Sequence, residues 1–446
     1  MKHEFLKHAY SVGAVVVVVG SSGCANESIS ANAALTPVAE VYRAPFDISM
    51  LDRELRFYQG RVKRDPAGAI GWAMLSSAYL KRSRVYDAND NAIAAEEAAR
   101  RSLKLRRLNN VSAATLLVQA LLDQHRFKDA AAAAKDALAI DPRDGKAIML
   151  VIDTLFEIGQ YDASKKVFLR EQPRLAEINR EELAARFDEL SGNRAQALQR
   201  ISRLITAAKA NPGIDAAAMS TFYTRRGDLL ASTGKMGEAE ADYASALKLH
   251  PASWKALGGM VRLAVAQKSW NAAVEWGRKS EKFVQMPELL GLMGDAYKAL
   301  GASTTAKRYY RKAVNAAGYG MPATANHGGR PHTAKEAKQH GSPLGRQFAM
   351  FAADRGIYLD DAYKAAKADL EERQDYRAFD TLAWLQFKRN EQALARKSID
   401  KALLRGMNDP QVLAHAAEIY RSSNRGKARR LQAAAAKITS HARFGP

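Results

Sequence analysis

The chain has 446 residues, 47% of them hydrophobic, a formal net charge of +21 and one cysteine. The hydrophobic share is ordinary for a folded protein, but the length is large for a single core, which stops growing at about 250–300 residues. A charge of this size favours anionic partners, and the lone cysteine excludes an intramolecular disulfide.

Lys2 and Lys7 give the chain a basic start, and an apolar run follows from Val12 to Gly20. The run is too short to span a bilayer as a helix and fits a secretory signal over residues 1–23. Ser22, Gly23 and Cys24 close it, with Ser21 where leucine is usual. This end resembles the lipobox of bacterial lipoproteins, whose cysteine becomes the lipidated N-terminus. The resemblance implies Cys24 as the lipidation site. Ala25, rather than aspartate, follows it, which implies an outer-membrane anchor facing the periplasm. A lone cysteine in a secreted chain needs a use, and lipid attachment supplies one. The alternative is ordinary cleavage after a small-residue site, with Cys24 an incidental thiol. Acyl chains contribute about 0.8 kcal/mol per buried CH₂, so several together anchor firmly. Residues 24–65 are expected to hold a tether and a first helix. No other apolar run is long enough to span a bilayer.

From residue 66 to 317 the chain repeats. Trp72, Leu75, Ser76 and Tyr79 open one unit, and Ala95, Ala99 and Ser102 lie on its second helix. Ala114, Leu117, Leu121, Ala130, Ala134, Ala137 and Pro142 form the next. Ile148, Val151, Leu155, Gly159, Tyr161 and Phe168 form a third, and residues 178–209 a degenerate pair around Gly192 and Ala197. The clearest unit has Tyr223, Gly227, Leu230, Gly234, Ala239, Tyr243, Ala246 and Pro251 at fixed offsets. After a unit running from Trp254 through Trp270 to Ser280, the same offsets return as Leu290, Gly294, Tyr297, Gly301, Ala306, Tyr310, Ala313 and Gly318.

A period of about 34 residues with this small-and-large pattern resembles the tetratricopeptide repeat (TPR). The resemblance implies an all-α fold, a TPR-type α-solenoid in which antiparallel helix pairs stack into a right-handed superhelix. Gly227 and Gly294 leave room for the second helix, and Tyr243 and Tyr310 fill the space beside them. Gly234 and Gly301 suit the left-handed cap that ends the first helix. One hairpin cannot bury its apolar face alone, so neighbours bury it together and leave a concave surface.

Residues 318–345 are rich in Gly, Pro and His and read as a loop or linker. The helical pattern resumes over 346–440, with Asn390 and Asn424 in place of the cap glycine. All units together make roughly eight or nine helix pairs.

Few residues carry chemistry. No H-E-x-x-H, G-x-S-x-G or P-loop pattern occurs, so no catalytic residue, no enzyme activity and no cofactor is expected. His327, His332 and His340 are weak metal candidates, because their spacing matches no defined site and no carboxylates accompany them. Trp72, Trp254, Trp270, Trp276 and Trp384 have the spacing of core packing.

The TPR resemblance lines the concave face with the first helix of each pair. It projects Gln119, Asp123, Asp153, Thr224, Asp228, Lys255, Arg262, Asp295 and Lys298 there as partner-binding residues. Acids or glutamine stand where a carboxylate-clamp asparagine would be, so that activity is not carried over. Reversing the charge of Asp228 and Asp295 is expected to alter partner capture without altering thermal stability.

The signal removes a net charge of +1 and leaves +20, concentrated in residues 301–346 and 421–446. The expected function is a non-catalytic protein-interaction scaffold of the bacterial envelope, recruiting parts of a pilus, secretion or polysaccharide-export assembly. The charge favours an alternative, a basic lipoprotein that binds anionic glycan or peptidoglycan; a third reading is an accessory subunit of an envelope enzyme. Nucleic acid is not an expected partner of a secreted chain without a recognition motif.

Overall fold

In the computed structural model, which describes residues 43–86, 89–318, 344–406 and 408–438, all regular structure is helical: 21 α-helices and one short 3₁₀ turn. Helix α1 (Ile48–Arg64) stands alone. Four pairs follow: α2 (Ala69–Tyr86) with α3 (Asn89–Leu105), α4 (Val111–Asp123) with α5 (Phe127–Ile140), α6 (Gly145–Glu157) with α7 (Tyr161–Glu171), and α8 (Glu177–Leu190) with α9 (Arg194–Ala210). The next three are α10 (Ala216–Ser232) with α11 (Met236–Leu249), α12 (Trp254–Ala266) with α13 (Trp270–Glu281), and α14 (Pro287–Ala299) with α15 (Ser303–Ala316). The last three are α16 (Gly345–Arg355) with α17 (Leu359–Glu372), α18 (Tyr376–Lys388) with α19 (Gln392–Gly406), and α20 (Pro410–Tyr420) with α21 (Arg425–Ile438). The described residues therefore hold ten pairs rather than eight or nine, because the degenerate stretch around Gly192 is a full pair and the C-terminal stretch makes three. The pairs stack as an α-solenoid.

Local chemistry sets this period. Asp144, Asp215 and Asp375 each accept a hydrogen bond from the backbone N–H three residues on, at 2.7–2.8 Å. Each cap satisfies an otherwise orphaned donor and contributes about 1 kcal/mol. The turn inside each of pairs two to nine places a residue in left-handed backbone: His125, Gly159, Gly192, Gly234, Lys268, Gly301, Gly356 (with Tyr358 in the same turn) and Asn390. Asn424 does not share this conformation; its side chain instead accepts from the Lys427 N–H at 2.9 Å and caps α21. Lys268 is exposed with φ at 57°. An L side chain in left-handed backbone costs about 1–2 kcal/mol, whereas the added chain entropy of glycine costs about 0.5–1 kcal/mol. The first effect wins, so Lys268→Gly is expected to stabilise the protein by about 0.5–1 kcal/mol in a urea melt; a lowered midpoint would show that Lys268 is not strained.

Glycine also sets how closely helices approach. A Cβ on Gly227 would lie 2.7 Å from the Tyr243 ring, and one on Gly294 would lie 2.4 Å from Tyr310. Ala239, Ala246, Ala306 and Ala313 are buried at the same interfaces. The five tryptophans are half-buried and pack against the core clusters. Three keep a polar partner at the edge of the packing: Trp72 Nε1 donates to the Pro66 carbonyl, Trp254 Nε1 to the Arg84 carbonyl and Trp384 Nε1 to Asp354.

The solenoid also touches itself at long range. The Phe46 N–H donates to the Leu249 carbonyl at 2.8 Å, and the Arg43 guanidinium caps the end of α9 through the carbonyls of Ala208 and Lys209. Leu51 and Val85 share a small core with Ala252. Farther along, Arg405 pairs with Asp162 at 2.7 Å, the Gln374 N–H reaches the Ile158 carbonyl, and Arg373 lies 4.5 Å over the Phe127 ring. Turns of the early pairs thus meet loops some five pairs later. A Cβ on Gly159 would lie 2.6 Å from the Gln374 carbonyl oxygen, so this glycine serves both its turn and the contact between windings.

Cys24 and the signal, and the three loop histidines with nearly all of the expected 318–345 loop, lie outside the described residues. The pairs on either side of that loop pack directly, with Leu290 and Tyr309 in one buried cluster with Phe348 and Phe351. No described helix is long and apolar enough to cross a membrane.

Candidate functional site

The first helices pack not only on their partners but on one another, α2 on α4, α10 on α12, α12 on α14, α14 on α16, and so to α20. That places them on the inside of the curve. From α6 to α20, polar side chains there join one first helix to the next. Asp153 on α6 accepts from Arg186 on α8 at 2.5 Å, and Glu189 on α8 pairs with Arg225 on α10. Asp228 on α10 lies 3.7 Å from Arg262 on α12, which reaches on to Glu288 on α14 at 3.4 Å. Asp295 on α14 pairs with Arg355 on α16. Asp354 on α16 accepts from Trp384 on α18 at 2.9 Å, and Asp380 on α18 bonds His415 on α20 at 3.0 Å.

The expected groove residues divide on this ladder. Asp153, Asp228, Arg262 and Asp295 belong to it. Burial, with Glu182 and Glu157 nearby, pushes the Asp153 carboxyl up to about 6 against the pull of Arg186. Asp228 also accepts the Tyr243 hydroxyl at 2.8 Å, and Asp295 the Tyr310 hydroxyl at 2.7 Å. Burial and the neighbouring carboxylate raise both phenols above their ordinary value. Asp228 and Asp295 therefore hold the array together, and reversing either charge would lower stability, contrary to the sequence expectation. Thr224 does not face the groove: it is 4% exposed and its hydroxyl donates to the Ser220 carbonyl at 2.8 Å. Gln119 and Asp123 are half-buried on α4. Lys255 and Lys298 are exposed.

The ladder partners Arg186, Glu189, Arg225, Glu288 and Arg355 were missed from the sequence. A signal existed: Asp153 and Arg186 are 33 residues apart and Glu189 and Arg225 are 36 apart, one repeat length. An acid in one first helix thus answers an arginine about one repeat length on, in the next. Asp295 and Arg355 are 60 apart, the same step lengthened by the intervening loop.

The ladder ends in a titratable rung. His415 is buried and stacks on Trp384 at 4.3 Å. Burial lowers its pKa, but the Asp380 carboxylate, with Asp354 and Asp409 farther off, outweighs it and raises the value above the ordinary 6.5. A raised folded value means that the stabilisation is fully present below the unfolded value and is lost as pH rises through the folded one. The thermal midpoint is therefore expected to fall as pH rises above about 6.5, and His415→Gln should flatten that slope. Equal slopes in both proteins would remove His415 as its cause.

Among the described residues no group of three His, Cys, Asp or Glu could hold a metal ion. One family model for the tetratricopeptide repeat matches residues 121–177, and a second matches residues 220–253 and 287–318. No relative among curated proteins matches the sequence. Among solved structures the chain is similar to YrrB, a TPR protein with an unusual peptide-binding site, at 21% identity over 48% of this chain and 97% of that chain, TM-score 0.23. It is similar to the APC/C hetero-tetramer Cut9–Hcn1 at 11% identity over 88% and 91%, TM-score 0.36. A TPR protein of Parabacteroides merdae shares 15% identity over 58% and 98%, TM-score 0.29. The chain carries tetratricopeptide repeats, and such arrays are scaffolds that bind protein partners on extended concave surfaces.

Proposed function

We propose that this protein is a non-catalytic scaffold of the bacterial envelope, anchored to the outer membrane through lipidated Cys24, facing the periplasm and recruiting components of a pilus, secretion or polysaccharide-export assembly. One observation supports the binding role above others: repeats in register along an inner face whose ion pairs run from helix to helix. Such a wall is pre-organised, so a partner meets fixed donors and acceptors rather than mobile side chains. The exposed Lys255 and Lys298 supply charge beside it. The N-terminal signal and lone cysteine support the anchor.

Two measurements test this reading. Cells fed an alkyne fatty acid should label the wild type and not Cys24→Ser; an unlabelled wild type would remove the anchor. Capture from gently solubilised envelopes should return a stoichiometric protein that survives high salt and is lost with Lys255→Glu/Lys298→Glu. The charge of +20 supports the alternative, an anionic glycan or peptidoglycan ligand. A glycan released by salt, without a protein, would establish it in place of the groove reading.

A further inference from the structure

Ion pairs run from helix to helix along the inner face; on the second-helix side of pairs six and seven, among the described residues, only Lys279 and Lys312 are paired, with Glu275 and Glu281. Arg278 and Lys282 at the end of α13, and Lys307, Arg308 and Arg311 on α15, are exposed, and none has a carboxylate partner among the described residues. Arg278, Arg308 and Lys312 border an aromatic stack, where Glu281 accepts the Tyr309 hydroxyl and pairs with Lys312. Tyr297 and Tyr309 stack at 5.1 Å, Arg278 donates to the Tyr297 hydroxyl at 2.9 Å, and Arg308 and Lys312 lie 5.9 and 4.9 Å over the Tyr309 ring.

Beside this cluster is a cavity of about 620 Å³ between α13 and the end of α14. Its floor is apolar, formed by Val274, the Tyr297 ring and Leu300, which is 43% exposed. Arg278, Lys279 and Lys282 form the rim. The one acid there, Glu275, is held by Lys279 at 2.7 Å.

We propose that this cavity docks an acidic peptide segment of a partner protein. An aliphatic side chain enters against Val274 and Leu300, and flanking carboxylates meet Arg278 and Lys282. Charge complementarity selects the sign of the partner and speeds its approach. Val274 and Leu300 make the floor largely aliphatic, and a branched alkyl side chain buries more apolar area there than the hydroxyl-edged face of a sugar; a few buried anchors carry most of the affinity at such sites. The site lies apart from the first-helix ladder and does not rest on the groove reading.

The test is fluorescence anisotropy of the purified chain with a labelled peptide of one leucine between pairs of glutamates. Saturable binding is expected. Lys282→Glu and Leu300→Asp should each weaken it by about tenfold, and a peptide with serine in place of the leucine should lose as much. Lys135→Glu, at an exposed position on α5, should leave it unchanged. Both cavity substitutions are at exposed positions, so melting midpoints equal to wild type should accompany the loss. Absence of saturable binding would overturn the proposal. So would binding indifferent to Leu300→Asp and to the serine swap, which is non-specific attraction, or equal displacement by an anionic polysaccharide in wild type and Leu300→Asp, which assigns the surface to glycan.

Discussion

Tyr243→Ala is expected to destabilise the protein by about 3–5 kcal/mol, the range for emptying a large buried side chain. The ring is 2% exposed and acts as a wedge between two repeats. It fills a slot left by Gly227 on its own first helix and Gly259 on the next, where a Cβ would lie 2.7 and 2.5 Å from the ring. Two backbones are held close around one side chain, so the cavity cannot collapse without moving a helix. The substitution also removes the hydroxyl that bonds Asp228 at 2.8 Å. Tyr243→Phe separates the two effects: it keeps the wedge and should cost only about 1 kcal/mol. In a solenoid stability passes through neighbouring interfaces, so the alanine variant should melt in two steps, split between pairs five and six. Equal losses for alanine and phenylalanine would show that the hydrogen bond, and not the wedge, holds the junction.

Arg346→Met should cost about 3 kcal/mol, as expected when one partner of a buried ion pair is removed. Arg346 contacts Asp369 at 2.8 Å and Asp375 at 2.7 Å, and its side chain is 15% exposed. Burial alone would raise the Asp375 carboxyl, but Arg346 and Arg373 hold it below the usual carboxylate range. Without Arg346, only Arg373 remains to balance both acids, at 2.8 and 3.7 Å. The deficit should shrink as pH falls, because protonating the two carboxylates removes the unpaired charge. Arg346→Met/Asp369→Leu should recover part of the loss, since removing both partners is less costly than removing one. A double variant no better than the single, in urea melts at neutral pH, would show that the pair acts through packing alone.

Much of the repeat was legible because it rests on short-range chemistry. Gly227 and Gly294 face the predicted tyrosines, and Gly234, Gly301 and Asn390 take the left-handed backbone. His125 and Lys268 take it too; histidine shares part of asparagine's tolerance of this backbone, but no propensity points to Lys268, where packing of the flanking helices imposes the turn. Asn424 was misread because asparagine serves equally well as an N-cap. The inner face was misjudged more seriously. Asp228 and Asp295 look like free charges in one repeat, and their arginines come from the next first helix.

The sequence by itself determined the helix pairs, their period and the interlocking glycines and tyrosines, because those contacts lie within one repeat or between adjacent ones and recur at fixed offsets. Only the tertiary structure decided how the array winds. The contacts of Arg405 with Asp162, 243 residues away, and of Arg43 with the end of α9 have no repeat spacing to announce them. They depend on small rotations summed over several pairs, and the same winding leaves the inner face with ion pairs from helix to helix and pairs six and seven with cations around an open apolar floor.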